Sequence, residues 1–139
     1  MAPTQNTKTS QLFCLVRRRP VAHTPEEEVR QAVIRYLHES LHYPLELMSV
    51  ECAITVATLT KRCDIVVYNR STKPYIIVEC KKPQVTINQK VVDQACRYNI
   101  ALRVPYLYLT NGTHHLFLKA DLDEQRLTQL PSLPDFLDM

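Results

Sequence analysis

Residues 63–81 read CDIVVYNRSTKPYIIVECK, and their reading decides the fold. Two β-branched and aromatic runs, Cys63-Asp64-Ile65-Val66-Val67-Tyr68 and Tyr75-Ile76-Ile77-Val78-Glu79-Cys80-Lys81, flank the turn-forming stretch Asn69-Arg70-Ser71-Thr72-Lys73-Pro74. The pattern predicts an antiparallel hairpin. Side chains alternate along a strand, so Glu79 and Lys81 are expected on one face. The hairpin brings Asp64 opposite them, at the ends away from the turn. Charges are rare in apolar strands, because burying an unpaired charge is unfavourable. A divalent cation held by Asp64 and Glu79, beside a lysine able to stabilise an anion, explains all three; a purely structural ion pair is the plainer alternative.

Outward from this hairpin the elements fall into place. On the N-terminal side, Leu12–Val16 reads as a short strand. Thr24-Pro25-Glu26-Glu27-Glu28 then reads as a helix start, with Thr24 as N-cap, Pro25 at the first helical position and acids in the first turn. That helix is predicted to run to about Glu39 and to bury Val29, Ala32, Val33, Tyr36 and Leu37. Alternation of Val50, Cys52, Ile54 and Val56 predicts a strand near 48–58. On the C-terminal side, a second helix over roughly 86–102 leads to a strand at 105–110. Asn111-Gly112 then turns the chain into a returning strand at 115–119. The order is an αβββαβ core. It makes an α/β fold with a mixed central sheet flanked by helices, strands 75–81 and 105–110 being parallel. Residues 1–10 are expected to be disordered, 11–125 to form one domain, and 126–139 to be a C-terminal tail.

Composition excludes several function classes. The chain has 139 residues, one domain's worth, and a net charge of +3 that permits nucleic acid as a partner without demanding it. No apolar run approaches the roughly 20 residues needed to cross a bilayer, and the N-terminus lacks a signal peptide's apolar stretch, so a cytoplasmic location is expected. The five cysteines are odd in number and form no Cys-x-x-Cys pair, which argues for buried thiols in a reducing compartment and against zinc. Gly112 is the only glycine, which rules out a phosphate-cradling glycine loop.

Further residues bear on the cluster. Helical geometry places Glu26 one turn before Val29 on the buried stripe, with Glu27 and Glu28 pointing away; serving the helix terminus alone is the other reading. Gln94 and Tyr98, four apart on the second helix, share a predicted sheet-facing stripe with Val91, Ala95 and Leu102, either at the site or as a core pair. Arg17–Arg19, Lys61, Arg62, Lys81, Lys82, Lys90, Arg97 and Arg103 form a basic surround suited to phosphates, or simply a solvated face.

With these residues in view, the chain resembles the small proteins related to the N-terminal nuclease domain of type I restriction enzyme R subunits, within the PD-(D/E)XK nuclease superfamily. The matching segments are Thr24–Gln31, Arg62–Tyr68, Val78–Pro83, Asp93–Asn99 and Pro105–Gly112, covering residues 12 to 119 in the expected order. The resemblance implies that the αβββαβ core is restriction-endonuclease-like and that the chain is a Mg2+-dependent DNA endonuclease, Mn2+ being able to substitute. Asp64, Glu79 and the backbone carbonyl of Cys80 would hold the metal, Glu26 would be the helix acid near it, and Lys81 the catalytic lysine. Gln94 and Tyr98 would form the Gln-x-x-x-Tyr motif, and Arg30, Lys82 and Arg97 would contact DNA. Within 139 residues there is no helicase motor or target-recognition domain, which leaves a non-catalytic DNA-binding or assembly module as the competing reading. Cutting both strands requires two sites, so a homodimer or a larger complex is expected. His114-His115 and the Tyr106/Tyr108 strand fit either an interface or a covered sheet face.

Overall fold

The computed structural model describes residues 10–139. Residues 1–9 of the expected disordered segment lie outside the described residues. Strands β1 (Gln11–Cys14) and β2 (Arg19–Ala22) form an antiparallel hairpin. The sequence indicated only its first strand. Pro20, which cannot donate to a ladder, hides the second and is tolerated because this strand is an edge.

Helix α1 (Pro25–Arg35) begins as its sequence dictates: the Thr24 hydroxyl accepts from the backbone N–H of Glu27 at 3.0 Å, and Pro25 occupies the first turn. It ends in a wider turn, Tyr36–Ser40, closed by the N–H of Leu41 on the Tyr36 carbonyl. Val29, Val33 and Leu37 are buried as predicted and Tyr36 is half-buried, but Ala32 is exposed. The buried stripe is rotated towards Glu27, Arg30, Gln31 and Ile34.

Six strands form one mixed sheet in chain order: β3 (Met48–Val56), β4 (Leu59–Tyr68), β5 (Pro74–Cys80), β6 (Tyr106–Thr110), β7 (His115–Asp121) and β8 (Arg126–Leu130). Only β5 and β6 are parallel, linked by helix α2 (Gln89–Leu102), whose N-cap is Asn88. Each face of the sheet carries its own core. On the α1 side Ile65, Val67, Ile76, Val78 and Cys80 pack under Val29, Val33, Ile34 and Leu37. On the α2 side Cys63, Val66, Ile77, Leu107 and Leu109 pack under Ala95. Full burial of each such aliphatic side chain is worth about 1.5–3 kcal/mol.

The expected tail is structured. Residues 126–130 form the edge strand β8, and 131–139 fold back onto the end of α1. The N–H of Phe136 donates to the Leu41 carbonyl at 2.8 Å, the Tyr43 hydroxyl donates to the Pro134 carbonyl at 2.7 Å, and the Arg70 guanidinium lies 4.0 Å from the Phe136 ring centre. No helix among the described residues is long and apolar enough to cross a membrane.

Candidate active site

The β4–β5 ladder runs to the pair Ile65 and Val78, and there a side chain replaces the backbone. Asp64 Oδ2 accepts from the N–H of Cys80 at 2.7 Å, while its Oδ1 accepts from Arg30 Nη2 at 3.0 Å. Glu79, 9% exposed, is held from the other side of the sheet: Lys61 Nζ lies 2.5 Å from Oε1, and Lys81 Nζ lies 4.0 Å from Oε2. Two carboxylates therefore flank Cys80 at the carboxyl end of β5, Asp64 leaning to α1 and Glu79 to α2.

This departs from the expectation that both would share a face. The departure falls opposite Glu51 of β3, which adopts the left-handed region (φ 52°) between the register pairs Val50–Ile65 and Cys52–Cys63. Alternation slips there: Cys63 packs in the α2-side core and Ile65 in the α1-side core, and Asp64 joins the side of Ile65. Glu51 itself reaches Arg30 at 3.5 Å and Arg62 at 3.8 Å. Nothing in a period-two strand pattern marks a left-handed residue, so Glu51 carries no signal in the sequence.

The helix acids exchange the places predicted for them. Glu26 is exposed, though its charge still reaches the Cys80 thiol; Glu27 is 6% exposed. Glu27 receives hydrogen bonds from Arg30 (2.6 Å), Gln31 (2.9 Å) and Arg17 (3.2 Å). A chain of charge thus runs Arg17–Glu27–Arg30–Asp64 through the α1 side of the molecule. Arg30, expected to contact DNA, is only 4% exposed; its two terminal nitrogens engage carboxylates, while its buried Nε has no partner. Burial works against its charge, but the bond to Asp64 and the charges of Glu27, Asp64 and Glu51 outweigh it and raise its pKa. The Glu27/Arg30 and Glu27/Gln31 spacings of three and four residues were the available signal.

On the α2 side the inward stripe centres on Ala95 and Asn99, which places Tyr98 at its edge and leaves Gln94 exposed, outside the predicted stripe. Tyr98 acts through Lys61, whose ammonium sits 4.8 Å from its ring centre beside Glu79. Lys61, counted in the sequence only as part of a basic surround, is half-buried; burial opposes its charge, but the hydrogen bond and charge of Glu79 prevail and raise its pKa. Lys82 and Arg97 are exposed. Tyr108 is only 2% exposed, and its hydroxyl shares His115 Nδ1 with the Thr110 hydroxyl, at 2.9 and 2.8 Å. Burial, together with surrounding charges, pushes the Cys63 thiol up to about 12 and raises Cys80 further; all five cysteines are free.

The donor set discriminates between metals. Among the described residues no group of three or more His, Cys, Asp and Glu side chains could hold an ion. Two carboxylates and a backbone carbonyl are too few, and too hard, for a protein-built zinc site. They match Mg2+, which keeps most of its waters and takes one or two carboxylates. Each Asp64 oxygen has one partner and so retains acceptor capacity, and Glu79 Oε2 has only the long Lys81 contact.

Residues 25–134 match the family model described as type I restriction enzyme R protein N terminus. No curated protein matches the chain. Among solved structures, a fragment of a candidate HsdR subunit of a type I restriction enzyme from Vibrio vulnificus aligns with TM-score 0.56 and 18% identity, over 81% of this chain and 24% of that one. A candidate nuclease of the DUF820 group from Anabaena variabilis aligns with TM-score 0.56 and 11% identity, over 97% of this chain and 87% of that one. At these identities the two likenesses concern the fold, and the chain spans about a quarter of the HsdR fragment.

Proposed function

The chain belongs to the family of type I restriction enzyme R protein N termini, and on that premise we propose that it is a Mg2+-dependent DNA endonuclease. One observation carries the reading: Asp64, bonded to the Cys80 N–H, and Glu79, with Lys81 at 4.0 Å, flank Cys80 at the end of β5, each with charged partners behind it. Asp64, Glu79 and the Cys80 carbonyl would hold Mg2+ or Mn2+, with Glu26 in reach through water. The bound ion would lower the pKa of a water and polarise the scissile phosphate. The protein's own contribution is orientation and charge. Arg30 and the Cys80 N–H fix the Asp64 carboxylate; Lys61, resting on Tyr98, fixes that of Glu79. Lys81, a third of its side chain exposed, offers its ammonium to the attacking oxygen and to the charge building on phosphorus. Lys82, Arg97 and Gln94, all exposed, would meet the DNA backbone, whereas Arg30 serves Asp64. Two such domains, as a dimer or in a larger complex, would cut both strands. Five free thiols suit the cytoplasm.

A second reading has an observation of its own. Asp64 already pairs with Arg30 and Glu79 with Lys61, so the site is charge-balanced without a metal, as a non-catalytic DNA-binding or assembly module would require. The two separate on supercoiled plasmid, single-stranded DNA and branched DNA incubated with Mg2+ or Mn2+. Cleavage by the wild type that is lost in Glu79→Ala and Lys81→Ala supports the nuclease. A folded wild type that cleaves none of them supports the module.

A further inference from the structure

The error at Ala32 points to a surface. Helix α1 turns Arg30, Ile34 and Leu37 inward, and its other flank, Val29, Ala32 and Tyr36, borders an open groove against β6 and β7. The far wall holds Tyr108, His115 and Phe117, and the volume is about 260 Å3. Its rings are graded in exposure: His115 is exposed, Tyr36 and Phe117 are half-buried. The His115 and Phe117 rings are nearly parallel (10°), and Tyr36 and Phe117 stand 6.4 Å apart. At Gly112 this groove opens into a wider one of about 610 Å3 that passes the first turn of α1 to Pro83. A Cβ on Gly112 would sit 3.1 Å from Val29 Cγ2, so the only glycine in the chain keeps the junction of the two open.

We propose that this continuous groove binds single-stranded nucleic acid and delivers it to the β5 site, an assignment of substrate that rests on the nuclease reading above. Unpaired bases present the flat faces that Tyr36, His115 and Phe117 can stack against, and a duplex does not. Cations stand where the backbone would pass: Arg35 lines the wider part, and Lys82 is exposed beside Pro83. The acid in that wall, Glu28, is already hydrogen-bonded by His23 at 2.7 Å. The wider part also reaches the loop that follows the site. Pro83 is two residues beyond Lys81, whose N–H donates to the Thr110 carbonyl at 2.8 Å, at the foot of the Asn111–Gly112 turn. An added peptide strand has no place here, because β6 and β7 are both interior strands with their ladders filled.

The test uses a fluorescein-labelled dT 12-mer and a blunt duplex of equal length, with the full chain in EDTA, read by anisotropy. Ala32→Glu places a carboxylate in the groove from an exposed position, and Phe117→Leu removes a ring while keeping an apolar side chain. Wild type is expected to bind the dT 12-mer at least about tenfold more tightly than the duplex. Both variants are expected to weaken dT binding by about five- to a hundredfold. Ala32→Glu, at an exposed position, should melt within a degree or so of wild type. A duplex preference, or wild-type affinity in both variants, overturns the proposal. So does self-association in sedimentation that Ala32→Glu abolishes, which would give the groove to a second copy. Groove-dependent dT binding without any metal-dependent cleavage keeps the groove and removes the nuclease; cleavage with unaltered binding in both variants does the reverse.

Discussion

Replacing Glu27 with alanine should be far more damaging than replacing its neighbour Glu26. Three donors, from Arg30, Gln31 and Arg17, converge on the Glu27 carboxylate at 2.6 to 3.2 Å. Its removal leaves a guanidinium that is 4% exposed, that of Arg30, without its shortest bond. Breaking a buried ion pair from one side typically costs about 3–5 kcal/mol. The lower end applies, because Arg30 keeps Asp64 at 3.0 Å and Glu51 at 3.5 Å, and the Arg17 side chain, 17% exposed, can find water. With a urea slope of about 2 kcal/mol/M, a loss of about 3 kcal/mol moves the unfolding midpoint down by about 1.5 M. Glu26→Ala, at an exposed position, should stay within about 0.5 kcal/mol. Equilibrium urea unfolding followed by far-ultraviolet circular dichroism measures both. A Glu27→Ala midpoint within 0.5 M of wild type, or a larger loss in Glu26→Ala, would refute the assignment of the inward-facing acid.

Three further outcomes are expected. Lys61→Met removes a positive charge beside Glu79, and a fraction of the ~4 kcal/mol exchanged by unit charges about 4 Å apart should appear as at least about threefold tighter Mn2+ binding by calorimetry; unchanged or weaker binding contradicts the proposed metal position. Ellman's reagent at pH 8 should label Cys52 and Cys96 in the native protein, and Cys14, Cys63 and Cys80 only after unfolding, because those three are buried; rapid labelling of more than two thiols would be inconsistent with the packing. The Asp135 carboxyl is held below its ordinary value of 3.8, first by the backbone N–H of Leu137 and then by His42. Its folded-state pKa is depressed, so its contribution is present above pH 3.8 and lost as the pH falls through the lower folded value. Melting temperature should therefore fall more steeply below pH 4 in wild type than in Asp135→Asn, and parallel curves would deny the carboxylate that role.

Much of the architecture was legible in the sequence because its signals are local. Thr24-Pro25 starts α1, the β-branched runs make β4 and β5, and a helix between two strands fixes their parallel pairing. What was misread depends on contacts distant in sequence. Glu27 can be buried only because Arg17, from the preceding hairpin, and Arg30 neutralise it, and no helical periodicity records that. Asp64 changes sides opposite a left-handed Glu51 on a different strand and turns to Arg30 of α1. Pro131 and Pro134 read as the punctuation of a tail, yet Pro134 offers the carbonyl to which Tyr43 donates, docking that segment. Gln94 and Tyr98 share a spacing, but the helix centres its buried stripe on Ala95 and Asn99, so only Tyr98 comes near Glu79.

The proposed centre at the end of β5 is most directly tested by soaking crystals of the protein in Mn2+ and collecting anomalous diffraction at the manganese edge. The expected result is a peak roughly 2.0–2.3 Å from carboxylate oxygens of Asp64 and Glu79 and from the Cys80 carbonyl. Manganese bound elsewhere, or none within reach of Asp64 and Glu79, would contradict it.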